Sequence, residues 1–299
     1  MVTTRRRWVG AALGLVLVVL AAGCIPPAGT VPISSPPQPA GCITAVAPTP
    51  KMVVSGCGGD ITYDVSVPSV CTTKASGLIL DVHGWTMSGA VQEQNTGIAA
   101  IGRAEGYIVV QPTAPGSPAS WSSSHYPLVA SFVELAIQVW RVDARRVHVT
   151  GFSQGGAMTF WMRCNRPALF ASAAPTSIAG RACANGADMP TLYIQGTDDV
   201  FVSQAAIDAT IDSFVTTHGL DRQVVLTDTP GVRRVQRSSS TDPTVPAFVT
   251  VIHHLSAALI RGHCIMGPAQ ANGYGCTQAA DLAHGRLVVD FFEANPRAA

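Results

Sequence analysis

Charge is what this 299-residue chain has least of: Asp, Glu, Lys and Arg together make up 12% of it, about half the share of an average soluble protein. That excludes a coiled coil and a long charged disordered chain. The 19 basic and 18 acidic residues nearly cancel to +1, and no segment carries a basic stripe, so the electrostatic footprint of nucleic-acid binding is missing. No pair of cysteines has the two-residue spacing of a zinc ribbon or redox motif, and no G-x-x-x-x-G-K phosphate loop occurs. Neither a metal nor another cofactor is expected. No internal repeat and no second proline-rich break suggests another domain. What is abundant is apolar residue, at 47%, punctuated by 28 glycines and 21 prolines, which is the make-up of a globular chain with many turns.

The amino terminus reads as an export address. Arg5, Arg6 and Arg7 precede an uncharged run, Trp8 to Ala22, too short for a comfortable membrane span. Residues 1–23 are therefore expected to be a signal peptide of lipoprotein type, because Leu20-Ala-Ala-Gly-Cys24 resembles a bacterial lipobox with Cys24 as the lipid acceptor. Membrane anchoring through that lipid and an extracellular or envelope location follow. Thr4-Arg-Arg-Arg-Trp8 also resembles a twin-arginine signal, so the export route stays open. Residues 24–54 read as a linker, since positions 25 to 50 hold eight prolines and no charge, a composition that favours extended chain over a core. One catalytic domain is expected over 55–299.

The eight cysteines, at 24, 42, 57, 71, 164, 183, 264 and 276, suit disulfides in an oxidising compartment better than metal. Local bridges Cys164–Cys183 and Cys264–Cys276 are expected, with Cys42 as the thiol left over once Cys24 is lipidated.

Short apolar runs bounded by turn residues alternate with helix-length segments, the pattern of a doubly wound α/β fold with a mostly parallel sheet. Strands are expected at Ile61–Val67 (as an edge), Gly77–Val82, Tyr107–Gln111, Arg146–Thr150, Thr191–Ile194 and Ala247–Ile252. Helices are expected over Gln92–Glu105, Leu128–Trp140, Gln154–Cys164 and Asp281–Phe292.

The chemistry centres on Gly151-Phe-Ser-Gln-Gly155. G-x-S-x-G is short enough to arise by chance, so context decides, and here it joins the β-branched run Val147–Thr150 to the small-residue helix start Gly155-Gly-Ala157. That is the strand-turn-helix setting of a nucleophile elbow, with Ser153 as nucleophile. A serine needs a histidine base and an orienting carboxylate, in the chain order Ser, acid, His. Asp198 and Asp199 follow a strand, and His263 follows a glycine on a later loop, with His253 and His254 as its competitors. For the oxyanion hole the backbone N–H groups of Gln154 and of Trp85, in His83-Gly-Trp-Thr86, are the candidates. Trp121 and Tyr126, with Trp85, are expected to line an apolar substrate pocket.

These segments resemble the polyhydroxybutyrate depolymerase and feruloyl esterase group of α/β-hydrolases, related to the family one carbohydrate esterases. The resemblance covers roughly Tyr63 to Arg297 and rests on Asp81-Val-His-Gly-Trp85, Val142 through Met158, Tyr193-Ile-Gln-Gly-Thr-Asp-Asp199, Gly262-His-Cys264 and Val288-Val-Asp-Phe-Phe292. It implies an α/β-hydrolase fold and a serine esterase in which Asp199 is the triad acid and His263 the base. Small or oligomeric hydroxycinnamoyl, hydroxyalkanoate or related esters are the implied substrates. Departures from the pattern are Ser120 before Trp121, where the family often has cysteine, and Gln195 before Gly196, where it usually has histidine. A serine peptidase or acyltransferase on the same fold, and a non-catalytic surface binding protein, stay open as alternatives.

Overall fold

The computed structural model describes residues 42–43, 51–68, 76–183, 189–255, 260–267, 273–276 and 283–298. The export signal, Cys24, Cys71 and most of the proline-rich stretch lie outside the described residues.

Ten strands form one sheet, β1 (Lys51–Val54), β2 (Thr62–Ser66), β3 (Gly77–Val82), β4 (Tyr107–Thr113), β5 (Val147–Phe152), β6 (Ser172–Thr176), β7 (Thr191–Gly196), β8 (Arg222–Thr229), β9 (Val232–Ser238) and β10 (Phe248–His253). Their spatial order is β1-β2-β4-β3-β5-β6-β7-β10-β9-β8. The six from β4 to β10 run parallel, and antiparallel ribbons close both sides. The helices are α1 (Gly89–Thr96), α2 (Ile98–Ala104), α3 (His125–Val139), α4 (Gln154–Asn165), α5 (Gln204–His218) and α6 (His284–Ala294). This is the doubly wound α/β architecture expected.

The central strands are buried on both faces, which is why they read as continuous apolar runs. In β3 the period of two sends Leu78, Leu80 and Val82 to the core shared with Phe132, Met158 and Met162 of α3 and α4, while Ile79 joins the opposite core with Ile98, Leu287 and Phe292 of α2 and α6. Asp81 shares that second face and is fully buried, accepting hydrogen bonds from Gln92 Nε2 (2.7 Å), Gln111 Nε2 (2.9 Å) and Thr96 Oγ1 (3.1 Å). Burial pushes its carboxyl up to about 6. The network anchors the carboxyl end of β3 just before the His83–Thr86 loop.

Several expectations need correction. Ile61–Val67 is not an edge, because β1 pairs outside β2, so Lys51–Val54, assigned to the linker, is sheet. Cys42 is not a spare thiol but is bonded to Cys57; Cys164–Cys183 and Cys264–Cys276 are also bonded. The single helix expected over Gln92–Glu105 is two: Gly97 ends α1 at φ +63, and the Glu93 carboxylate then accepts from Ala99 N (2.8 Å) and Ala100 N (3.3 Å) at the start of α2. A carboxylate there meets unpaired N–H groups and the positive end of the helix dipole.

Candidate active site

Ser153 sits between β5 and α4 at φ 55°, ψ −114°, a backbone conformation that non-glycine residues rarely hold. Its neighbours make the turn sterically feasible. A Cβ on Gly155 would run into the Val82 and His83 carbonyls, one on Gly151 into the backbone of Gly155, and one on Gly156 into Ile178 and the Thr176 carbonyl. Small residues in β6 serve the same close packing, and Ser153 N donates to Thr176 O at 2.9 Å. The serine is thus held at the carboxyl ends of the strands, where open α/β sheets build their sites.

Asp199, three residues beyond β7, uses both carboxylate oxygens. Oδ1 accepts from Phe201 N (2.8 Å) and Val202 N (2.9 Å), and Oδ2 lies 2.8 Å from His263 Nδ1. Both residues are buried. Because a carboxylate only accepts, His263 carries its proton on Nδ1 and keeps the lone pair on Nε2. The two loops cross backbone to backbone: Gly262, at φ +66, has no room for a Cβ against Asp198 and Asp199, nor has Gly196 against the Gly262 carbonyl. Asp198 turns outward, 3.6 Å from the exposed Arg261 guanidinium. Asp199 thus caps the backbone of its own loop as well as facing the histidine. His253 is buried at the end of β10, and His254 Nδ1 lies 3.0 Å from Thr197 Oγ1; neither lines the cavity that holds Ser153. With stability matched, Asp199→Asn is expected to lower kcat/KM at least a hundredfold more than Asp198→Asn, since an amide can present its N–H to the ring and select the wrong tautomer. Steady-state kinetics of the two variants checks this.

The loop after β3 passes directly over the serine, where a Cβ on Gly84 would press on Phe152 and on the Ser153 Cβ. His83 is buried, which pushes its pKa down to about 4. As a neutral ring it accepts from Ala114 N at Nε2 (3.0 Å) and donates from Nδ1 to the Gly84 carbonyl (2.6 Å). Thr86 N and Met87 N are taken by Ala119 O and Gly84 O. Among the described residues, no acceptor lies against the N–H of Trp85 or of Gln154, the first residue of α4, which fits an oxyanion-binding pair.

Ser153 and His263 open into one cavity of about 470 Å³, walled by Trp85, Phe152, Phe201, Ile260 and Tyr274. Phe152 and Phe201 both lie 4.9 Å from the His263 ring, centroid to centroid. Burial by these rings shields the base from water while the serine faces the opening.

No protein-family model matches the chain. Among curated proteins, a bifunctional acetylxylan esterase/xylanase of Neocallimastix patriciarum is 25% identical over 165 residues, 53% of this chain and 24% of that protein. Acetylxylan esterase A of Aspergillus ficuum is 30% identical over 118 residues, 36% of this chain and 39% of that one. Over these segments the chain is similar in sequence to acetylxylan esterases. It spans about a quarter to two-fifths of the length of these relatives. A solved acetyl xylan esterase from Aspergillus awamori matches with a TM-score of 0.58 at 17% identity, over 81% of this chain and 98% of that one, and shows the shared α/β-hydrolase fold.

Two of the residues expected to line the substrate pocket, Trp121 and Tyr126, lie outside the lining of this cavity. Trp121 is buried in the core, its indole N–H donating to the His83 carbonyl at 3.0 Å, and its backbone N–H donates to Gln154 Oε1 at 3.0 Å. Tyr126 packs against Trp161 and the same core. Both support the site from below instead of lining it. Phe201 and Tyr274, which take their place, carry no periodic signal. Phe201 could be found only as a large apolar residue two positions after the acid, and Tyr274 only through the cysteine-closed loop that follows His263.

Proposed function

We propose that this chain is an exported serine esterase that hydrolyses carboxylic esters through an acyl-enzyme on Ser153. The observation that carries the reading is the joining, in one cavity, of a serine at the strained strand-to-helix turn and a histidine held by a buried carboxylate. In this reading His263 Nε2 takes the Ser153 proton as Oγ attacks the ester carbonyl, and the oxyanion is held by the N–H groups of Trp85 and Gln154. The Oγ–carbon bond forms, the carbon–alkoxide bond breaks, and His263 returns the proton to the departing alcohol. Water then repeats the cycle on the acyl-enzyme and releases the acid.

Acetyl esters of a carbohydrate are the substrate class we assign, supported by the names of the relatives. The aromatic wall then serves the alcohol side, where rings stack on the apolar face of a sugar. A hydroxycinnamoyl acyl group is the second reading, and the size of the cavity favours it. Three disulfides among the described residues support an oxidising compartment, and anchoring through a lipid on Cys24 remains part of the proposal.

The test is a panel of acetyl, butyryl, feruloyl and peptidyl substrates presented to the exported protein, with its partition into membranes read alongside. A specificity constant for acetyl esters at least tenfold above feruloyl is expected, a difference of about 1.4 kcal/mol in transition-state binding. The reverse order would assign the cavity to the acyl group, and turnover of peptides alone would reject the esterase.

A further inference from the structure

Thr86 has φ +65°, a value unusual for any side chain and an outlier for a β-branched one. Such strain, on the order of 1 to 3 kcal/mol, persists only where the surroundings over-determine it. Three contacts do so here. Thr86 N donates to Ala119 O at 2.9 Å, Thr86 Oγ1 donates to the Trp85 carbonyl at 2.6 Å, and Thr86 Oγ1 lies 2.5 Å from the Tyr274 hydroxyl. A hydroxyl has one proton. Since that of Thr86 goes to the Trp85 carbonyl, the Tyr274 O–H is the donor in the third contact. The result is a directed chain, Tyr274 O–H to Thr86 Oγ1–H to Trp85 C=O, in which each bond polarises the next.

This chain clamps one of the two peptide planes flanking the Trp85 Cα: the Trp85–Thr86 unit is held at its carbonyl by Thr86 and Tyr274 and at its N–H by Ala119. The preceding Gly84 carbonyl is held by His83 Nδ1 (2.6 Å) and Met87 N (3.2 Å). The Trp85 N–H therefore has its direction set from both sides. Tyr274 is itself tied to the base. Ile265 N donates to Tyr274 O and Cys276 N to Ile265 O, each at 2.9 Å, inside the loop closed by Cys264–Cys276, whose first cysteine directly follows His263.

We infer that Tyr274 is a positioning residue for ester hydrolysis, holding the Trp85 N–H through Thr86 and coupling the loop of the base to the oxyanion loop. The inference rests on the esterase reading. Its consequence is confined to the transition state: the donor meets its full partner only when the carbonyl oxygen becomes an oxyanion, so loss of the clamp lowers kcat and leaves KM nearly alone.

The test compares Tyr274→Phe, Thr86→Val and the double variant with the parent on one aryl acetate. Each single change is expected to lower kcat about tenfold, less than the 10²- to 10³-fold that follows outright loss of an oxyanion donor, with KM within twofold. The double variant should be no slower than the worse single one, because both break one chain. Thr86→Ser, which keeps the hydroxyl, should restore kcat. Affinity for an alkylboronic acid, which becomes tetrahedral on the serine, should fall in step with kcat. Wild-type kcat in Tyr274→Phe, a loss confined to KM, or additive losses in the double variant would overturn the inference. Labelling of Ser153 by an organophosphonate in the same samples separates this from the larger reading: unlabelled serine in the parent protein rejects the esterase, whereas labelled serine with unchanged kcat rejects only the clamp.

Discussion

Ser153→Ala is expected to lower ester turnover by about four to six orders of magnitude while leaving the fold intact. The two halves of that expectation have different causes. Activity falls because the hydroxyl at the strained turn, the proposed nucleophile, is gone, and what remains is the modest acceleration from binding and the oxyanion donors. Stability is kept because the strand-to-helix turn is secured by backbone and by glycine packing: the 2.9 Å bond from the residue 153 N–H to Thr176 O survives the change, as does the room made by Gly151, Gly155 and Gly156. Alanine at φ 55° bears the same strain as serine, so the unfolding midpoint should stay within a degree or two or rise slightly. Adding His263→Ala should cost almost nothing further, since members of a catalytic unit are not additive. Kinetics with thermal melts of the single and double variants checks all three statements.

Acidification is expected to unfold this protein well before ordinary carboxylate titration would. Burial depresses four histidines, His83, His253 and His284 to about 4 and His148 to about 3, against an unfolded value near 6.5. Below pH 6.5 the unfolded chain binds protons that the fold excludes, so their stabilisation is full above pH 6.5 and is lost as pH falls toward 4. Each is worth on the order of 3 kcal/mol. Asp81 works the other way: its value of about 6 in the fold exceeds the unfolded 3.8, so its contribution is greatest below pH 4 and is lost as pH rises through 6. One such group offsets about one histidine and leaves three. Even half of that remainder is comparable to the 5–15 kcal/mol stability of an ordinary domain. Urea unfolding at pH 7 and pH 4.5 should show several kcal/mol less stability at the lower pH. Equal or greater stability at pH 4.5 would mean that these rings are solvated in the fold.

What could be read from the sequence follows from where side-chain identity is forced by sterics. The elbow was legible because Gly151 and Gly155 are places where no Cβ fits, and the parallel strands because burial on both faces demands unbroken apolar runs. Asp199 and His263 were legible from chain order and from the family likeness. By contrast β6, Ser172-Ala-Ala-Pro-Thr176, carries small residues demanded by the close approach of α4 and so lacks a β-branched signature. The hairpin β8–β9 announced itself only by Pro230-Gly231, with Gly231 at φ +95°. The aromatic lining failed for a different reason. Trp85 and Trp121 both lie on loops at the same end of the sheet, yet Trp85 is 55% exposed at the cavity and Trp121 is 6% exposed beneath it, a choice made by the indole hydrogen bond to His83 and by no property of either residue alone.

Trapping decides whether Ser153 is the nucleophile of an acyl-enzyme. The exported protein is incubated with a slowly deacylating aryl ester or an organophosphonate and digested, and the modified peptide is sequenced by mass spectrometry. One adduct per chain on Ser153, absent from Ser153→Ala and slowed when His263 is replaced, is the predicted result. An adduct on another residue, or turnover without any labelling of Ser153, would contradict it.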